Sequence, residues 1–203
     1  EIVTTGDRVQ DRRLLEIGGK AMFTKEIEEA LVDGRIDVAI HSMKDMPALQ
    51  PPGLTIAATP QREEATDAFI SKDFAGFADL PEGARLGTAS LRRQAQALAL
   101  RPDLQIEMLR GNVDTRLRRL AAGDFDAILL ATAGLNRLGL SSVIRERLSL
   151  DDFLPAPGQG ALAIQTREDD TGAAWVAALN HPMTALAIAA ERGAMLALEG
   201  SCH

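Results

Sequence analysis

Cys202 is the only cysteine in the chain and sits in Glu199-Gly200-Ser201-Cys202-His203. A lone thiol has no internal disulfide partner. The glycine and serine beside it point to a loop after the helical run 184–198, where a thiolate can reach a ligand. The plainer alternative is a small cysteine that only fills space.

Residues 85–119 hold eight arginines (Arg85, Arg92, Arg93, Arg101, Arg110, Arg116, Arg118, Arg119) against Asp103, Glu107 and Asp114, a local +5 in a chain of net −7. The guanidinium fork pairs two-to-two with carboxylate or phosphate, so arginine rather than lysine implies recognition of such anions. Ser90 follows Gly87-Thr88-Ala89 and can cap a helix whose free N–H groups face an anion. Arg110, in Leu109-Arg110-Gly111-Asn112, repeats the arrangement after the next strand, and strand-end loops are where open α/β sheets bind ligands. Arg118 and Arg119 read instead as an exposed helix face. His41-Ser42-Met43-Lys44-Asp45-Met46-Pro47 lies at another strand end, where the Asp45 carboxylate can accept hydrogen bonds and stabilise a cation, or simply be a solvated loop acid. Gly18-Gly19-Lys20 offers a glycine loop suited to an anion without the spacing of a nucleotide fingerprint.

The elements that must position these residues alternate between β-branched runs and helical patterns, which predicts an α/β fold with a largely parallel sheet. Phe23, Ile27, Ala30 and Leu31 mark a helix that Gly34 ends. Strands are expected at 36–40, 54–59, 85–87, 104–109, 126–131 and 161–165, with helices from Leu91 and over 113–122. Leu154-Pro155-Ala156-Pro157-Gly158-Gln159-Gly160 interrupts the pattern and reads as a crossover returning the chain to its first lobe. The expected domains are 1–60 with 161–180, then 66–154, then 181–203 as the start of a third, with hinges near 59–66 and 154–160.

At 203 residues and 46% hydrophobic the chain can bury a core, and its pI near 5.0 argues against bulk nucleic-acid binding or attraction to an anionic membrane. The arginines also lack interleaved aromatics. No apolar run approaches a membrane span and no signal-peptide pattern opens the chain, so a cytoplasmic location is expected. No metal site is expected. The interior-looking start at Glu1 gives the expectation of a piece of a longer protein.

Together these segments, with Gly18 to Glu26, Gly87 to Gln94, Pro157 to Ala161 and Leu198 to Cys202, resemble the porphobilinogen deaminase (hydroxymethylbilane synthase) family over nearly the whole chain. The resemblance implies a two-lobed fold of the type II periplasmic-binding-protein kind with the start of a third α+β domain. It also implies a transferase of tetrapyrrole (haem) biosynthesis, acting as a monomer on porphobilinogen. Cys202 would carry a dipyrromethane cofactor by a thioether, and Asp45 would be the catalytic carboxylate. Cofactor contacts would come from Lys44, Asp45, Ser90, Arg92 and Arg93, and substrate contacts from Lys20, Arg110, Arg116, Arg137 and Gln159. The family's opening strand and most of its third domain have no counterpart here. Ala21, Ala89 and Ser201 stand where the family often has Gly, Ser and Gly, small exchanges that touch none of these roles. The alternative from another class is a non-enzymatic two-lobed anion-binding receptor or effector domain, which the same fold serves.

Overall fold

The computed structural model describes residue 2 and residues 24–198. The chain is α/β and divides into two compact units: one takes the residues up to Glu63 and again from Pro157, the other runs Glu64–Ala156.

In the first unit, α1 (Lys25–Val32) turns its buried Ala30 and Leu31 onto β1 (Ala39–Ser42) and β2 (Leu54–Ala58). Gly34, at φ +69°, ends the helix. The central strand of this sheet is β8 (Leu162–Arg167), antiparallel to both β1 and β2, with Ala39 opposite Gln165 and Leu54 opposite Arg167. The expected strand at 36–40 begins later, because the ladder with β8 starts at Ala39, while Ile36 and Val38 pack as loop residues against the core. α5 (Pro182–Ala197) opens with Pro182 at its first position and a His181 side-chain cap on the Thr184 N–H. Residues 181–203 were set apart by sequence as the start of a third domain; within them, α5 makes its polar contacts on the first unit. Arg62 pairs with Glu191, and Arg192 donates to the carbonyls of Pro47 (2.8 Å) and Ala48 (2.7 Å).

The second unit contains β3 (Asp67–Ser71), β4 (Arg85–Gly87), α2 (Leu91–Leu100), β5 (Gln105–Glu107), α3 (Val113–Ala121), β6 (Ala127–Ala131), α4 (Thr132–Arg137) and β7 (Glu146–Arg147). Its sheet has the order β5-β4-β6-β3-β7. β4 runs parallel to β5 and β6, but β3 runs antiparallel to β6 and β7, so the sheet is mixed rather than largely parallel. Both faces are covered: Phe69, Ala127 and Leu129 point into one core with Phe77 and Phe153, while Ala68, Ile70, Ile128 and Leu130 point into another with Leu109 and Phe125. This two-sided burial explains why β6 reads as a continuous apolar run, with β3 contributing the shorter Ala68-Phe69-Ile70. Phe77 packs edge-on against Phe69 and Phe153, at 6.3 and 5.3 Å between centroids.

Gly158 shows why the return segment needs glycine. Its φ is +76°, and a Cβ there would lie 2.7 Å from Met43 Cγ and 3.1 Å from the Lys44 nitrogen. Gly158→Ala is expected to cost about 2–4 kcal/mol in urea unfolding, combining left-handed strain with overpacking. Gly34→Ala, with the same sign of φ and nothing within 4 Å, is expected to cost about 1–2 kcal/mol. Equal losses would show that the close approach to Met43 carries no energy.

Candidate active site

Asp45 closes a single 3-10 turn, Met43–Asp45, directly after β1. Met43 and Met46 are 2% and 1% exposed and anchor the turn in a core of Ala161, Ala163 and Ile188. The Met43 N–H donates to the Ala161 carbonyl at 3.0 Å and the Met46 N–H to the Met43 carbonyl at 3.1 Å. With apolar anchors on both sides, Lys44 and Asp45 are left half-buried at the rim. Gln159 is buried, and its carbonyl accepts from Arg62 Nε at 2.8 Å. Lys20 and Cys202 lie outside the described residues.

The eight arginines sort themselves by partner. Arg85 pairs with Asp126 (3.2 Å), Arg101 with Asp103 (2.8 Å) and Arg119 with Asp124 (2.8 Å), the last also lying 4.7 Å over the Phe125 ring. Arg118, exposed as expected, donates to Thr115 Oγ1 at 3.1 Å. Arg92, Arg93, Arg110 and Arg116 remain. Ser90 caps α2 by accepting from the Arg93 backbone N–H at 3.4 Å, and Asn112 caps α3 by accepting from the Thr115 N–H at 2.9 Å. These caps set Arg92 and Arg93 in the first turn of one helix, with Arg110 and Arg116 about the start of the next.

A residue the sequence reading passed over organises this group. Asp67 is fully buried at the start of β3. Arg93 reaches its Oδ1 through Nε (3.0 Å) and Nη2 (2.7 Å), and Arg92 Nη2 lies 2.8 Å from its Oδ2. The Arg93 guanidinium also donates to the Leu129 carbonyl at 3.1 Å, and that of Arg92 to the Leu154 carbonyl at 2.6 Å. Arg93 is thus held inside the unit, at 7% exposure. Its role as a direct ligand contact, which the sequence pattern suggested equally for Arg92 and Arg93, is better suited to its neighbours. Arg110 Nη1 is buried with no hydrogen-bond partner among the described residues. Arg116 donates from Nε to the Gly111 carbonyl at 2.7 Å, and burial, then Arg93 and Arg110, pull its guanidinium down to about 10. Burial also lowers Arg92, with Asp67 opposing and Arg93 adding to the effect. Desolvated cations in excess of their counter-ion make a site that gains from binding carboxylates. Arg137, in the last turn of α4, is exposed.

The sequence signal for Asp67 was an acid immediately before the apolar run Ala68-Phe69-Ile70, hidden in the charged stretch 61–67. Among the described residues no cluster of three His, Cys, Asp or Glu side chains could hold a metal ion, and no helix is long and apolar enough to cross a membrane.

Comparison with known proteins gives a consistent match. The family model described as porphobilinogen deaminase, dipyromethane cofactor binding domain, matches residues 1–174. The porphobilinogen deaminase of Caulobacter vibrioides (strain NA1000 / CB15N) is 68% identical over 202 residues, covering 100% of this chain and 63% of that protein. That of Bacillus mycoides (strain KBAB4) is 56% identical over 205 residues, covering 100% and 66%. The chain therefore spans a little under two thirds of these relatives' length. Among solved structures, a periplasmic substrate-binding protein of an ABC transporter from Coxiella burnetii is 20% identical, with 81% of this chain and 80% of that one covered at a TM-score of 0.49.

His41 stands behind the Asp45 turn, 7% exposed, with Nε2 3.0 Å from Gln165 Oε1. Gln165 in turn donates to Glu28 (3.2 Å) and Gln50 (3.1 Å). Burial lowers the His41 pKa, with Gln165, Glu28 and Asp45 opposing. The unfolded chain then takes up the proton first as pH falls below about 6.5, so stability contributed by neutral His41 is present above that pH and lost beneath it. Wild type is expected to lose more Tm than His41→Gln between about pH 7.5 and about pH 5.5. Equal losses would mean that this imidazole titrates like an exposed one.

Proposed function

The chain belongs to the porphobilinogen deaminase family, and on that footing we propose that it is part of a transferase that deaminates four porphobilinogen molecules and joins them head to tail into linear hydroxymethylbilane. The observation that carries this reading is the arginine group of the second unit: Arg92, Arg93, Arg110 and Arg116 around the one carboxylate of Asp67, with a buried Arg110 N–H still to be satisfied. Each pyrrole of this substrate brings two carboxylates, which such a cradle would take up through bidentate, charge-assisted pairs. Family membership favours this transferase over a non-enzymatic receptor.

The same unpartnered N–H and desolvated guanidiniums fit the carboxylates of a dipyrromethane. Cys202 would hold that group covalently, with Lys44, Asp45, Ser90, Arg92 and, less directly, Arg93 around it. When bound it supplies the free pyrrole position from which the chain grows. Lys20, Arg110, Arg116, Arg137 and Gln159 would serve the incoming substrate. Asp45 would accept pyrrole N–H bonds and stabilise the cation left on porphobilinogen as ammonia departs, a charge that the pyrrole of the bound substrate lacks and that develops as the C–N bond breaks. The anchored turn supports this role, because a carboxylate fixed in advance needs no reorganisation when the charge appears. Movement would be taken up at the hinges 59–66 and 154–160, which span the two places where the chain passes between units. Residues 181–203 would begin a third domain. A monomer in the cytoplasm completes the reading.

Two measurements on the full-length protein test it. Intact mass is expected to show two linked pyrrole units that Cys202→Ser removes; an unmodified mass in active wild type would overturn the attachment. Asp45→Asn keeps the size of the side chain and removes the charge, and is expected to slow single-turnover ammonia release about a hundredfold or more. Its stability should change by less than about 1–2 kcal/mol. Equal rates would leave Asp45 a structural loop acid.

A further inference from the structure

We propose that Asp67 is the positioning residue of the arginine cradle, its single buried carboxylate orienting Arg93 through Oδ1 and Arg92 through Oδ2 so that Arg110 and Arg116 are left to meet the ligand. The inference rests on the reading above and adds a residue that none of the sequence motifs contains. Asp67 is fully buried and fixed by its backbone as well: its carbonyl accepts from the Leu148 N–H at 2.9 Å and it stands opposite Ala131 in the ladder of β3 and β6. Both partners are tied a second time, Arg93 to the Leu129 carbonyl and Arg92 to the Leu154 carbonyl. Arg93 is therefore fixed by hydrogen bonds at two points, and Arg92 by an ion-pair contact to Oδ2 together with its hydrogen bond to Leu154.

The consequence is a division of labour. Arg93 commits one N–H on each of its three nitrogens inside the unit and is only 7% exposed, so its remaining N–H groups have little access to a ligand carboxylate. Its charge still acts on Arg116, while Asp67, the one fully buried carboxylate among the described residues, is taken up by Arg93 and Arg92. Arg92 connects the carboxylate to Leu154, which Gln96 also clasps by accepting from its N–H (2.7 Å) and donating to its carbonyl (3.2 Å). Asp67 thereby reaches the segment where the chain leaves the second unit at Ala156.

The test compares Asp67→Asn and Asp67→Glu with wild type in the full-length, cofactor-loaded protein. Loss of positioning is expected to raise the KM for porphobilinogen about tenfold in Asp67→Asn while kcat falls by less than about threefold, the pattern of weakened binding shared by ground and transition states. In a background lacking both partners, Arg92→Leu with Arg93→Leu, Asp67→Asn should add little further, since Asp67 acts through the two of them. A second readout needs no turnover: mass mapping of phenylglyoxal adducts should find Arg93 protected in wild type and labelled in Asp67→Asn. If the Asn variant does not fold, Asp67→Glu keeps the charge but moves it by one methylene, and should show the same rise in KM and the same labelling. An unchanged KM with Arg93 still protected, or a lowered Tm alone, would reduce Asp67 to a structural ion pair and overturn the proposal. Wild type that does not convert porphobilinogen would overturn the functional reading instead, and the labelling map would still decide the role of Asp67.

Discussion

The arginine group of the second unit is organised by a local shortage of negative charge. Arg92, Arg93, Arg110 and Arg116 are brought to the starts of α2 and α3, and among the described residues Asp67 is the one fully buried carboxylate, paired with Arg92 and Arg93. Removing charged groups from water costs several kcal/mol each, and a buried pair often does no better than recover that cost. An arrangement with more guanidiniums than carboxylates therefore cannot have stability as its purpose. The stability comes from elsewhere in the unit, from a sheet apolar on both faces and three phenylalanines packed edge to face. A local rule broken inside an otherwise consistent domain is the pattern expected of a functional site.

The first unit meets a different demand, to hold one short loop still. A three-residue turn has little structure of its own, and here Met43 and Met46 supply the missing anchorage by entering the core on either side of Lys44 and Asp45. The return segment then packs so closely on the turn that only glycine fits at 158. Glu191 of α5 closes the arrangement, accepting from the Gly158 N–H at 2.7 Å while paired with Arg62. Three stretches distant in sequence are thus needed to fix one carboxylate, which is why the turn follows a strand that is itself short and edge-placed.

How much of this could be read beforehand depended on the range of the interaction. The α2 and α3 starts, the caps at Ser90 and Asn112, and the strand at Arg85–Gly87 are set by neighbouring residues and were legible. So was the exposure of Arg118, whereas Arg119, read with it as an exposed face, pairs with Asp124 over the Phe125 ring. β3 was missed because its first residue is charged and its apolar part is only Ala68-Phe69-Ile70, too short to separate from a loop by periodicity. The direction of the sheets was missed for a related reason: β8 enters between β1 and β2 from more than a hundred residues away, and β3 pairs with β6 across a detour of about sixty. No pattern within a strand reports which neighbour it will meet. The distinction between Arg92 and Arg93, adjacent and alike in sequence, exists only once β3 delivers Asp67.

The preference for arginine over lysine in the cradle follows from the same imbalance. Burial together with Arg93 and Arg110 draws Arg116 down to about 10, yet at neutral pH it stays protonated. Lysine ordinarily titrates near 10.4, and an equal depression would bring it to within about a unit of neutrality, where part of the population would lose its charge. A lysine cradle would relieve its crowding by giving up protons, and would then have less to offer a carboxylate. Guanidinium has no such escape, so the repulsion among Arg93, Arg110 and Arg116 is retained until an anion enters. Such crowding is relieved by an anion, so a group of this kind would favour a ligand that brings several carboxylates.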